Sequence, residues 1–537
     1  MYDVLIKNGT VVNGTGKRKP YVADVAIQGD LIAAVAPGIE HSKARLTVDA
    51  GGKTVIPGFV DPHVHEEWVL FTEGLYEIFL QQGVTTVVNG NCGHSMFPGP
   101  KKNIIDYYTN NGLMSFRQQK VYYERFPEWN DFREYADAAE KKGTNLNFVT
   151  LLGHGTIRQT VMGGAFPRKP DTGEWAAIER IIRHNMEQGA WGISYGLDYV
   201  PSRYASIDEL VRVTKIIMEY DGISAAHLRH YAGIIEAVEE FLEVARRTGA
   251  RIQISHLKSA SPEAFELARK AIESEGIRAR IDTIPRSTGH CISKPRLVQF
   301  ILALSDELFD KGPEGVKAAL QTPEGRELIK KDAYIFAGDK EDKFIVCSDD
   351  PELENRSVAD IARSRGIDPD ECMLDLIADE KSYVFWLGGP SRKDFAASGH
   401  SPEIVANPYV SVGSDEIKGD IEIPFDWYEL QRRGSFPNFL NEYLDKGVVL
   451  EEIVRRNTTM VCEHFGIQKR GRLEAGYFAD ISVIDLPRYK YPQPDQMHYK
   501  TPQMTASGVE HVFVNGIAVL AEGKVLPAYS GRVLSKR

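Results

Sequence analysis

Apolar residues near the N-terminus recur with the two-residue period of half-buried strands: Val4 and Ile6, Val11, Val25 and Ile27, then the run 31–35. Asn8-Gly9, Asn13-Gly14, Gly29-Asp30 and Gly51-Gly52 punctuate them as turns. The C-terminus has the same character over residues 479–484, 509–514 and 518–520. The pattern predicts that residues 1–57 and 468–537 meet as one composite β-sandwich.

Between these ends the pattern changes. Short apolar runs alternate with amphipathic stretches of helical period, for example over residues 234–247 and 264–274. Eight runs end near His65, Cys92, His154, Tyr195, His227, His256, Asp282 and Asp415. Eight β/α units predict an α/β fold, a (β/α)8 TIM-like barrel over residues 58–467, with its active site at the C-terminal strand ends. Two connections are too long for simple units. One, about 96–140, is rich in aromatics such as Tyr107, Tyr108 and Trp129, suited to walling a pocket or packing on a second subunit. The other, about 286–407 between strands seven and eight, is expected to be a helical insertion, with helices over 305–321 and 369–379.

A net charge of −11 with no long Lys/Arg cluster argues against nucleic acid as partner. No apolar run reaches the ~18 residues of a membrane span. The chain starts directly in strand pattern, without a basic segment and apolar core of a signal peptide. Five scattered cysteines read as reduced thiols, not as a disulfide framework, so the expected location is cytoplasmic.

The strand ends carry the candidate chemistry. In Asp61-Pro62-His63-Val64-His65, histidines two apart on a strand share a face, so both imidazoles can reach one ion. Cys92, His227, His256 and Asp415 stand at later strand ends. Taken singly, a strand histidine reads as a core residue, Cys92 as a small buried hydrophobe and Asp415 as a helix cap. Together, imidazoles, a thiolate and a carboxylate form a set that suits zinc.

This order of residues resembles the amidohydrolase superfamily, and Cys92 within Asn91-Cys92-Gly93-His94-Ser95 narrows the likeness to the D-aminoacylase branch. Gly189-Ala190-Trp191-Gly192-Ile193-Ser194-Tyr195-Gly196-Leu197, Ser255-His256-Leu257-Lys258, Gly413-Ser414-Asp415, Gly434-Ser435-Phe436-Pro437 and Gly476-Tyr477-Phe478-Ala479-Asp480 are similar to that branch too. The resemblance covers nearly the whole chain. It implies one or two zinc ions, with Cys92, His227 and His256 on the tighter one. His63, His65 and Asp415 would face a second position and share Cys92. It further implies that Asp415 takes a proton from water and returns it to the leaving nitrogen.

The segments that would grip the substrate depart from the branch. Lys258 matches one member of its polar set. The Asp-x-Tyr-Pro-Tyr stretch is here Asp282-Thr283-Ile284-Pro285-Arg286, without either tyrosine, and a following Ser-Thr pair becomes His290-Cys291. The branch's His-Pro-Arg is replaced by Gln431-Arg432-Arg433 before Gly434. Arg286, Arg432 and Arg433 are candidates to replace the missing arginine, and Lys258, Arg286, His154 and His290 are the expected substrate contacts. The first functional reading is zinc-dependent hydrolysis of a C–N amide bond in a small molecule, with N-acyl-D-amino acids as default substrate class and an altered pocket. The second is opening of a cyclic amide, imide or lactone. A silent scaffold on the same fold would require loss of metal donors, and all six are present. The aromatic insertion and exposed helices make a homo-oligomer an expectation.

Overall fold

The computed structural model describes residues 1–65, 67, 75–111, 123–124, 127–163, 168–230, 233–257, 261–285, 304, 306–309, 311–332, 336, 340–348, 350–353, 356–379, 382–386, 399–416, 432–492 and 504–536. The N-terminal alternation folds into β1 (Tyr2–Val11), β2 (Tyr21–Gln28), β3 (Leu31–Ala36), β4 (Ala44–Asp49) and β5 (Thr54–Pro57). The middle supplies β6 (Phe59–Asp61), β7 (Val84–Asn89), β8 (Asn147–Thr150), β9 (Leu152–Gly153), β10 (Gly192–Gly196), β11 (Ile223–His227), β12 (Arg251–Ile254) and β13 (Ala279–Thr283). They are followed by β14 (Lys343–Ser348), β15 (Ser382–Trp386) and β16 (Val410–Val412), and the C-terminus adds β17 (Ile481–Ile484), β18 (Val509–Val514), β19 (Ile517–Ala521) and β20 (Lys524–Val525).

Strands from both chain ends share one nine-stranded sheet, joined where β17 pairs antiparallel with β5. Its apolar face buries Ile6, Val25, Val55, Ile481 and Phe513. A single residue, Gly58, separates β5 from β6, so this sheet runs directly into the α/β part of the chain.

In that part all pairings among β6–β13 and β16 are parallel, and helices pack outside them. Sheet β6-β7-β8 and sheet β9-β10-β11-β12-β13-β16 are separated at Leu151 alone, the residue between β8 and β9. At the other edges Val64 bridges Glu416 in parallel, Asp415 N donates to His63 O (2.8 Å) and His65 N donates to Glu416 O (2.8 Å). The intervening helices form where the periodicity placed them: Ile234–Thr248 and Pro262–Glu275, each closed by a glycine with positive φ.

The segment between β13 and β16 is helical only in part. The expected helix over 305–321 is two helices, Asp306–Phe309 and Gly312–Ala319, with Gly312-Pro313 opening the second. The segment also contains the antiparallel pair β14–β15, which corrects the all-helical expectation. Its interior, including Leu308, Val316, Ile361, Met373 and Leu376, is a cluster of its own that also takes in Val200.

Candidate metal centre

Each candidate donor stands at, or just beyond, the C-terminal end of a parallel strand: His63 and His65 after β6, Cys92 after β7, His227 closing β11, His256 after β12 and Asp415 after β16. The side chains converge in two overlapping groups, His63–His65–Cys92–Asp415 and Cys92–His227–His256, whose ligand atoms lie within 4.8 Å of one another. Cys92 Sγ is 3.3 Å from His63 Nε2 and 3.4 Å from His256 Nε2. Asp415 Oδ1 is 3.4 Å from His63 Nε2 and 3.2 Å from His65 Nε2.

Tetrahedral zinc with bonds of 2.0–2.3 Å spaces its donors about 3.3–3.6 Å apart, close to these separations. The backbone points the same way. Cys92 (φ 52°), His256 (φ 34°) and Asp415 (φ 54°) all hold left-handed conformations that L residues adopt rarely. Such strain persists where the surroundings enforce it and collects at functional sites. The set is also rich in negative charge. Burial works against a thiolate at Cys92, yet His63, His65 and His256 hold its pKa well below the ordinary thiol range. Burial likewise opposes charge on His65, but Cys92 and Asp415 push its pKa up to about 10. A zinc ion in place of those imidazole protons would be met by the same thiolate, carboxylate and ring nitrogens, so the residues present fit zinc.

Close backbone contacts place Cys92. Ser194 Oγ on β10 accepts from Gly93 N (2.9 Å), and a Cβ added to Gly196 would lie 2.0 Å from the Cys92 carbonyl oxygen. Glycine at 196 thus permits β10 to approach the cysteine loop. Gly196→Ala is expected to displace Cys92 and weaken zinc binding by at least about tenfold in chelator competition, in line with disturbed ligand support. Unchanged affinity would mean that the loop accommodates the methyl without moving the thiol.

Carboxylates and aromatics brace the donors from outside. Asp61 Oδ1 accepts from His63 N and Ser414 N, both at 3.1 Å, tying the β6 end to the β16 end. Burial raises the Asp61 pKa to about 7, against these hydrogen bonds. Asp282 accepts from His256 N (2.8 Å) and Gln253 Nε2 (2.7 Å) and lies 3.5 Å from His63 Nδ1. The aromatic insertion reaches the same region. Tyr107 donates to Gly93 O (3.0 Å), His94 Nδ1 lies 2.7 Å from the Tyr107 hydroxyl, and Tyr199 packs on both His94 and His227.

Residues 46–286 match the amidohydrolase family model. The chain carries an amidohydrolase domain. Over its full length the chain is 29% identical to the D-aminoacylase of Alcaligenes xylosoxydans xylosoxydans, with 100% of this chain and 98% of that protein aligned. It is 28% identical to the N-acyl-D-glutamate deacylase of the same organism, over 99% of this chain and 96% of that one. A solved D-aminoacylase, described for the functional role of its binuclear metal center, matches with TM-score 0.74 and 26% identity over 100% of both chains. A D-hydantoinase from Thermus sp. shares the fold at TM-score 0.54 and 15% identity, over 99% of this chain and 98% of that one.

The structure brings together all six expected donors. Of the expected substrate contacts, Lys258, Arg286 and His290 lie outside the described residues. His154 is engaged elsewhere. It is fully buried, with Nδ1 2.9 Å from Ser202 Oγ and Nε2 3.1 Å from Glu209, beside Arg158. Both ring nitrogens are occupied within the protein, so the structure gives it the core-histidine role instead of a substrate contact. Arg433 is buried 3.5 Å from Glu416, while the side chain of Arg432 lies outside the described residues. Sequence reading named Asp282 as a strand end without giving it work, and missed Asp198, His230 and Tyr199. The signal for Asp282 was its carboxylate at a strand end. For Asp198 it was position, two residues beyond β10.

Among the described residues no helix is long and apolar enough to cross a membrane.

Proposed function

We propose that this chain is a zinc-dependent hydrolase of C–N amide bonds, acting on N-acyl-D-amino acids or close relatives through a pocket altered from that branch. The observation that carries the reading is the convergence of six donors, with Cys92 shared between both groups. The full-length likeness to a D-aminoacylase and an N-acyl-D-glutamate deacylase supports the substrate class. The eight parallel strands, counting β8 and β9 as one, are taken to close as a (β/α)8 barrel. The lone residue between β8 and β9 and the Val64–Glu416 bridge support that closure. Residues 58–467 would form this catalytic unit, and 1–57 with 468–537 a composite β domain. The free thiols of Cys92, Cys372 and Cys462 favour a cytoplasmic setting.

In this reading Cys92, His227 and His256 hold the tighter ion, and His63, His65, Cys92 and Asp415 face the second position. When bound, zinc polarises the scissile carbonyl and makes a water acidic enough to lose its proton near neutral pH. Asp415 supplies the proton relay: its Oδ1, beside His63 and His65, takes the water's proton and passes it to the leaving nitrogen. Asp61 fixes the strand ends that carry His63 and Asp415, which keeps base and imidazoles in register.

Purified protein is expected to contain one to two zinc equivalents by elemental analysis, and chelation should abolish amide hydrolysis that added zinc restores. Metal-free, fully active protein would sink the proposal. A panel of N-acetyl-D-amino acids, anilides and cyclic amides then reads the pocket. Turnover of N-acetyl-D-amino acids supports the substrate class, whereas turnover of cyclic amides alone would replace it with ring opening.

A further inference from the structure

Outside the six donors, Asp198 sits in the loop after β10, and its Oδ2 lies 3.0 Å from His227 Nε2 and 3.1 Å from His230 Nδ1. An ionised carboxylate only accepts hydrogen bonds, so each nitrogen facing it must carry a proton. Two ring nitrogens converge on the single oxygen Oδ2, the geometry of one carboxylate accepting from two N–H donors.

With its Nε2 proton committed to Asp198, a neutral His227 presents the lone pair of Nδ1 on the opposite edge of the ring. That edge faces the cluster, with Nδ1 2.9 Å from His256 Nε2. The ring is further held by edge or tilted contacts with Tyr199 at 4.8 Å and His256 at 4.6 Å between centroids. The carboxylate therefore sets the tautomer from the side away from the donors, while Tyr199 and His256 hold the ring plane.

We propose that Asp198 is a positioning residue that locks His227 in its Nε2–H tautomer so that Nδ1 serves as a zinc donor, and that His230 steadies Asp198 from the far side. The inference rests on the reading of Cys92, His227 and His256 as zinc donors. Asp198, His227 and His230 also lie close enough to form a donor group of their own. An ion there would have to displace the Nε2 proton while Nδ1 serves the first ion, leaving a bridging imidazolate. The hydrogen-bonded carboxylate needs no such deprotonation.

Outer carboxylates on metal-bound histidines typically account for a factor of 10–100 in metal affinity. In the zinc-loaded full chain, chelator competition is therefore expected to give Asp198→Asn the same number of zinc equivalents as wild type. The dissociation constant of the tight ion should rise about 10- to 100-fold. In the cobalt(II)-substituted protein the visible d–d bands should shift while the thiolate band persists, and the metal-free melting temperature should stay near that of wild type. His230→Ala should shift affinity the same way by less, and it carries the test if Asp198→Asn does not fold. Unchanged affinity in both variants would overturn the proposal. So would loss of a whole zinc equivalent at saturation, which would make Asp198 a donor. His256→Ala separates this inference from its foundation: if that variant keeps the tight ion, the donor assignment itself has failed.

Discussion

Replacing Asp415 by asparagine is expected to lower kcat by about 10²- to 10⁴-fold, the usual contribution of a positioned acid–base group, with zinc on Cys92, His227 and His256 retained. The choice of asparagine matters. Asp415 has φ 54°, a left-handed conformation that asparagine tolerates far better than alanine. Asp415→Asn would therefore keep the loop and much of the volume while losing the ability to take a proton. The amide oxygen of the variant could still face His63 and His65, which lie 3.4 and 3.2 Å from the carboxylate oxygen in the native chain. Steady-state kinetics and elemental analysis on the same preparation make the check. A collapse of kcat at preserved zinc content assigns the proton relay to Asp415. Near-native kcat would exclude it from that role, and joint loss of both zinc equivalents would make it chiefly a ligand.

The donors that could be read from the sequence are those whose position follows from strand period. His63 and His65, two apart, lie just beyond β6 on either side of Val64, which bridges Glu416, and Cys92, His227, His256 and Asp415 follow apolar runs whose ends could be located. What periodicity cannot show is direction after a strand ends. Cys92, His256 and Asp415 reach the cluster through left-handed backbone, a conformation enforced by tertiary contacts such as Gly196 against the Cys92 carbonyl. Asp198 and His230 belong to loops with no periodic signal, and only the folded chain brings them to His227. His154 shows the converse. It ends an apolar run like the donors, but the helix it opens turns it toward Ser202 and Glu209 and away from the cluster. The β14–β15 pair was hidden because a short apolar run fits a buried helix as well as a strand.

The second large effect lies where the two ends of the chain meet the α/β part. Arg470 and Asp480 form an ion pair with both side chains only 3% exposed. Asp480 also accepts from Asn515 N (2.8 Å) and lies 3.3 Å from Asn147 Nδ2, while Arg470 Nη2 donates to Asn515 Oδ1 (2.8 Å). Asn515 Nδ2 in turn donates to Asn147 Oδ1 (2.8 Å), so the network joins the start of β8 to the C-terminal strands. The Asp480 backbone carbonyl accepts from Gly58 N (2.9 Å), at the entry to β6, which leads to His63 and His65.

Arg470→Ala would strand the Asp480 carboxylate in the interior, a change that typically costs about 3–5 kcal/mol. For a chain of this size that corresponds to a fall of roughly 3–4 °C in thermal midpoint. Arg183→Ala is the control, because Arg183 pairs with Glu219 at the surface, where water screens the pair and little stability rests on it. Differential scanning calorimetry on the two variants separates the cases. Equal, small shifts would mean that Asn147 and Asn515 satisfy Asp480 without its arginine. A large shift for Arg470→Ala alone would identify this buried pair as the joint between the composite sheet and the strands that present the metal donors.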